Sequence, residues 1–403
     1  MGGHAERSHS TLSPSNAYQW MVCTPSVILG SQFLDTSSKA AEEGTLAHEL
    51  AELKLRNYFY TTEFGKRKMN AEIKKLKGNE IWADEMMGYT DDYLDYVKSV
   101  ALNFAVSPHV DIERRVDLHT YIPNLPDEAP ASGSADCILV GGGVIHVIDF
   151  KYGKSPDGRV DADHNPQMML YALGAYEAYR ILYEIHTVRM SIVQPRLLDG
   201  ISEWECSLED LLKFGEVVKD RAALAIQGVG DFVPGPKTCR YCRARGRCKA
   251  RAEKNVELAF KAKDDPALLT FEEMGKYLKD GQDVAKWLKD IEATALEACL
   301  SGKEIPGWKA VAGRTTRDWT DMDAAFARLE EAGIRTEVLW ERKPLTLAQV
   351  EKIIGKKEFA ANVGEFVTKK NGKPALVEDS DKRPAITNKI SATEAFKEET
   401  DHE

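Results

Sequence analysis

Three short segments, Gly133-Ser-Ala-Asp136, Asp149-Phe150-Lys151 and Gln167-Met-Met-Leu-Tyr171, gather carboxylates, an ammonium group, an amide and a phenol within residues 133–171. Metal-assisted phosphodiester cleavage needs such a set: acids to hold a divalent ion, a cation to offset charge on phosphate, and polar groups to orient water. A lone Asp-x-Lys carries little weight, because so short a pattern is usually a solvated strand edge. Here it ends an apolar run, where unpaired carboxylates are costly to bury.

The surrounding elements are what bring these groups together. Residues 135–140 and 144–151 are β-rich runs around Gly141-Gly142-Gly143, the pattern of a hairpin. With Val140 facing Ile145, counting back sets Asp136 opposite Asp149, where facing Cβ atoms stand about 4.5–5.5 Å apart. Alternation projects Asp149 and Lys151 from one face, and a one-residue slip would set Asp136 against Ile148 instead. Carboxylates held that close repel unless a cation lies between them. Asn165-Pro166 predicts a helix start, with Gln167 and Tyr171 four apart on one face. Taken alone, Tyr171 reads first as a packing residue. Upstream, residues 41–52 predict a helix carrying His48, either a satisfied structural histidine or a ligand. Gly44, one turn earlier, costs about 1 kcal/mol in a helix, and close approach of another backbone would explain it.

Gly44-Thr45-x-x-His48, Gly133-x-x-Asp136, Asp149-x-Lys151 and Gln167-x-x-x-Tyr171 together resemble the RecB-like branch of the PD-(D/E)XK nucleases. That branch includes the AddB helicase–nuclease and the CRISPR-associated iron–sulfur exonucleases. The resemblance spans residues 13–250. Glu113 resembles the acidic residue those families carry on the preceding strand. Nearly the whole chain also resembles a phage protein family without assigned function, through His4-Ala5, Leu12-Ser-Pro-Ser15, Trp20, Cys23-Thr-Pro-Ser26 and Glu43-Gly-Thr-Leu-Ala-His-Glu49. What the resemblance implies is a restriction-endonuclease-like α/β core, a mixed sheet flanked by helices. Asp136, Asp149, His48 and the Phe150 backbone carbonyl would hold Mg²⁺ or Mn²⁺, the imidazole favouring Mn²⁺. Lys151, Gln167 and Tyr171 would complete a catalytic set acting on DNA, most simply as an exonuclease of phage replication or recombination.

Cys239-x-x-Cys242-x5-Cys248 is a tight cluster suited to soft-metal thiolate ligation, with Cys23 the candidate fourth ligand. One N-terminal cysteine with this C-terminal trio resembles the iron–sulfur staple of the same nucleases, which implies a [4Fe-4S] cluster. Zinc is the competing occupant, since spacing does not separate it from iron. Cys137, Cys206 and Cys299 read as small core residues. Residues 237–254 are strongly basic, with Arg240, Arg243, Arg245 and Arg247 around Tyr241, in a chain of net charge −10. Such a run is usually a solvated face, but a local basic patch is also what polyanion binding uses. A nucleic-acid surface is therefore expected there.

The remaining pattern sets the frame. With 43% hydrophobic and 29% charged residues, the chain has apolar content for a globular core. No run approaches the roughly 20 apolar residues of a membrane span, and the absence of a secretory signal points to the cytoplasm. Expected domains are a nuclease core over 1–255, a helical and small α+β extension over 256–378, and a mobile charged tail over 379–403. The extension should hold a capped helix from Thr270 to about Leu300, a small hairpin near Ile305 and Arg317, and short helices near 321–332 and 346–354. Two rival readings are a non-catalytic DNA-binding or recombination accessory protein that keeps the cysteine site, and a structural subunit docking through residues 301–403.

Overall fold

The structure is a computed structural model and describes residues 11–33, 39–122, 131–155, 158–260, 270–312, 321–340 and 347–367. By contacts the chain divides into residues 1–311 and 312–403. The first unit is mixed α/β. Five strands, β1 (His109–Asp117), β2 (Ser132–Gly141), β3 (Val144–Phe150), β4 (Thr187–Val193) and β5 (Ile201–Ser207), lie in sequential order in one sheet. All neighbours are antiparallel except β3 and β4, which run parallel. A parallel pair needs a crossover, and α6 (Pro166–Tyr179) supplies it. β3 is buried along nearly its whole length, as a strand covered on both faces should be.

Helices cover the two faces of the sheet. On one, α1 (Ala17–Val22), α2 (Ser26–Gly30), α6 and α7 (Leu208–Gln227) pack in a cluster with Ile138, Val140, Ile145, Val147 and Met190. On the other, α3 (Lys39–Phe59), α4 (Lys66–Leu76) and α5 (Glu85–Leu102) pack on Ile112, Cys137, Leu139, Ile148 and Phe150. Among the described residues no helix is long and apolar enough to cross a membrane.

The β2–β3 hairpin has the expected register, with Val140 paired to Ile145 and Gly141 to Val144. Gly142 and Gly143 form the two-residue turn with φ of 55° and 81°, backbone that favours glycine and matches the strand twist. The α6 start is also as read: the Asn165 side chain accepts hydrogen bonds from the Gln167 and Met168 amides, with Pro166 at the first position.

α8 (Lys249–Phe260) and α9 (Phe271–Leu300) follow the cysteine segment, and α9 begins with the Thr270–Glu273 capping box. Arg251 on α8 is buried and bonds Asp283 at 3.1 Å and Asp290 at 2.6 Å on α9. Both helices fall in the contact unit that ends at residue 311. Ile305 and Trp308 form a bridge. The return strand expected around Arg317 and the tail expected over 379–403 lie outside the described residues. The second unit contains α10 (Met322–Glu331), α11 (Thr336–Leu339), α12 (Leu347–Ile354) and α13 (Lys356–Val363).

His146 on β3 is buried, its Nε2 2.7 Å from Ser191 Oγ on β4, which in turn meets Tyr96 of α5. Burial, reinforced by the Arg189 charge, lowers its pKa to about 4. Its folded pKa therefore lies below the unfolded value, so its contribution is present above pH ~6.5 and lost as pH falls through about 4, to a limit of about 3 kcal/mol. Denaturant unfolding across that window should show this loss, and His146→Gln should flatten it.

Candidate metal and phosphodiester site

Beyond the last β2–β3 pair, Cys137 with Ile148, the same register sets Asp136 across from Asp149. There the ladder stops. The Phe150 backbone N–H donates instead to the Asp136 carboxylate, at 2.7 Å. Both flanking strands also change face here. Ile112 belongs to the α3 side and Val116 to the α6 side, although four residues apart they would share a face under strict alternation. Ala135 and Cys137 split in the same way. Glu113, at the switch in β1, takes φ 52°, left-handed backbone that costs a non-glycine residue about 1–3 kcal/mol.

The switch turns Asp136 toward α3. Its Oδ1 lies 3.3 Å from His48 Nδ1. Without it, Asp136 would project toward α6 with Ile138 and Val140. His48, Glu113 and Asp136 each bring a ligand atom within 4.8 Å of the others, and they are the group of this kind among the described residues. Glu113 was the acid known only by resemblance; nothing in its local pattern marks the left-handed backbone that aims it.

Asp149 faces the opposite helix, as expected from its alternation with Lys151. Lys151 Nζ is 2.9 Å from Asp149 Oδ2 and 3.3 Å from Gln167 Oε1, while Gln167 Nε2 reaches Asp149 Oδ1 at 3.4 Å and the Tyr171 hydroxyl at 3.2 Å. Tyr171 is buried, and burial with the nearby carboxylate charges keeps its phenol protonated. Phe150 is buried between Tyr93 and His48, at ring distances of 4.8 and 5.3 Å. The two aspartates thus oppose each other in register but address different helices, and each still acts on the other's charge.

Electrostatics fit a cation. Burial raises the Asp149 pKa, with Asp136 adding to the effect and Lys151 opposing it. Burial also works against ionised Asp136, but His48, Lys151 and the Phe150 N–H outweigh it and hold its pKa low. His48 is raised: desolvation is more than offset by Asp136. Asp149 Oδ2 is buried without an aligned hydrogen bond, the ion pair with Lys151 notwithstanding. Such an oxygen, with the Asp136 carboxylate and the His48 imidazole near enough to act on its charge, fits a divalent ion. His48 and Lys151 keep 24% and 27% of their side-chain surface exposed, so the recess is reachable from solvent.

Two glycines resolve differently. A Cβ on Gly133 would stand 2.6 Å from Pro14 Cγ and 2.9 Å from Tyr171 Cε1, so this glycine lets Tyr171 close on β2. Gly44 has nothing within 4 Å among the described residues, so no described backbone approaches it there.

The four cysteines singled out in the sequence line one cavity with Leu29 and Phe232. Arg221 of α7 donates to the Met21 and Val22 carbonyls, fastening the segment before Cys23. Backbone N–H groups of Val233 and Gly235 point at the Cys23 and Cys239 sulfurs, at 3.5 and 3.4 Å. Burial raises the Cys239 thiol and pushes Cys242 up to about 11. In the basic segment, Arg245 is drawn into an ion pair with Asp290 at 3.1 Å, Arg247 lies over Phe33, and Arg240 lies over Tyr241. Arg243 is exposed. Cys137 is buried under α3 and α5, Cys206 is half-buried on β5, and Cys299 lies near the end of α9.

Residues 9–384 match the family described as "Protein of unknown function (DUF2800)", and the chain belongs to that family. A solved structure titled "Crystal structure of SSO0001" is similar at 17% identity over 50% of this chain and 85% of its own, with a TM-score of 0.25.

Gly133→Ala should lower stability by about 1–3 kcal/mol through overpacking against Pro14 and Tyr171, read by denaturant titration. Mn²⁺ added to metal-free protein should raise its thermal midpoint. Asp136→Asn should abolish that rise; an equal rise in the variant places the ion elsewhere.

Proposed function

We propose that the chain is a metal-dependent DNA nuclease, most simply an exonuclease, with a PD-(D/E)XK-type core. The observation carrying this reading is the meeting of the His48–Asp136 pair with the Lys151–Asp149–Gln167 triangle where the β2–β3 ladder stops. Asp136, Asp149, Glu113 and His48 would hold the divalent ion, with the Phe150 carbonyl as the further position that the resemblance implies. The mixed nitrogen and oxygen donor set suits Mn²⁺ at least as well as Mg²⁺. The ion supplies Lewis-acid polarisation of a phosphoryl oxygen and acidifies water.

The protein's own groups do the rest. Lys151, held by Asp149 and the Gln167 carbonyl, keeps its ammonium charge: burial disfavours that charge, but Asp149 and Asp136 more than restore it. It offsets negative charge that builds on phosphate in the transition state. Gln167, fixed between Asp149 and Tyr171, orients water or the strand. The four cysteines would hold a [4Fe-4S] cluster. Zinc is the competing occupant, because thiolates at this spacing serve either metal. The exposed basic residues around the cluster would meet DNA, and the function would belong to phage replication or recombination in the host cytoplasm.

Labelled single- and double-stranded DNA incubated with Mn²⁺ should be degraded. Asp136→Ala should reduce cleavage to background and Lys151→Ala by at least about 100-fold, both with binding retained. A mobility shift without products from the unmodified protein would instead assign the accessory binding role. Anaerobically purified protein should be brown, with broad absorption near about 400 nm. Colourless, zinc-bearing protein would overturn the cluster.

A further inference from the structure

Arg240 and Tyr241 are the two residues between Cys239 and Cys242, and they lie beside the acidic recess. The Arg240 guanidinium packs against Gly158, in the loop joining Lys151 to α6, 3.4 Å from where a Cβ would stand. The Gly158 carbonyl accepts from Gln194 Nε2 at 3.2 Å, and the carbonyl of the adjoining Val193 accepts from the Lys151 amide at 2.9 Å, which sets this loop against the Lys151 segment. Tyr241 remains 67% exposed, and the Arg240 guanidinium stands 5.4 Å from its ring centroid. An aromatic ring this open contributes little to packing. A cation over one face leaves the ring as a platform for a second planar group.

We propose that Tyr241 stacks on an unpaired nucleobase of the strand whose phosphate lies at Lys151, so that the preferred substrate is single-stranded DNA or a frayed duplex end. This inference rests on the acidic recess being a phosphodiester site. A base presents its π-face to a side chain only where it has left the duplex stack, and every base has such a face, so the contact selects strand state and not sequence. Cys239 and Cys242, seated in the cysteine-lined cavity on either side, fix the turn that presents the ring. The cysteine site thereby positions substrate as well as fastening the chain.

The test uses the full chain in Ca²⁺, with fluorescence anisotropy on labelled oligo(dT) and on an abasic oligomer of equal length. Tyr241→Ala should weaken oligo(dT) binding by about tenfold, leave abasic binding unchanged, and raise KM on single strands with kcat little altered. Tyr241→Phe should restore oligo(dT) binding. An unchanged affinity, equal loss on both oligomers, or no oligo(dT) binding by the unmodified protein would overturn stacking. Selective binding without any cleavage by the unmodified protein would uphold stacking and remove the nuclease reading. Cleavage indifferent to Tyr241→Ala would do the reverse.

Discussion

The hydrogen bond from the Phe150 amide to the Asp136 carboxylate is the constraint around which the acidic recess is arranged. A strand amide that loses its ladder partner inside a protein must find another acceptor, or leave a buried donor unsatisfied. Here the acceptor is a side chain, so the end of β2–β3 pairing and the placement of Asp136 are one event. Its second oxygen then meets His48. Asp136 is thereby held from two sides, while Asp149 is held separately by Lys151 and Gln167.

The face switch in β1 and β2 complements that bond. It carries an unfavourable φ at Glu113, in the middle of a strand and not at a turn. Strain of this sort persists only where the surroundings over-determine it. The surroundings are visible: Ile112 is committed to the α3–α5 cluster and Val116 to the α6–α7 cluster. Two separate cores pull successive parts of one strand to opposite faces, and the residues at the crossing are the acids Glu113 and Asp136.

A similar economy governs the cysteine segment. Of its basic residues, Arg251 is buried in ion pairs with Asp283 and Asp290, and Arg245 shares Asp290. Removing one partner from such a buried set strands a charge, which makes the set a strong fastening even where its net stabilisation is modest. A run of positive charge that reads as one solvated surface is thus divided between holding α9 and facing outward, with Arg240 against the loop before α6.

Much of this was legible in the residues themselves. The hairpin followed from Gly142-Gly143 between β-rich runs, the α6 start from Asn165-Pro166, and the α9 start from Thr270 and Glu273, because turns and caps are short-range chemistry. The facing of Asp149 and Lys151 followed from strand alternation. Glu113's place beside His48 and Asp136, the turning of Asp136 toward α3, the lack of a described neighbour at Gly44 and the diversion of Arg245 and Arg251 to α9 were not legible. Each depends on which helix covers which face, and on partners distant in sequence. Local order, including the face that Asp149 takes, came from backbone stereochemistry and side-chain period, whereas the direction in which Glu113 and Asp136 point was decided by two cores competing for the same strands.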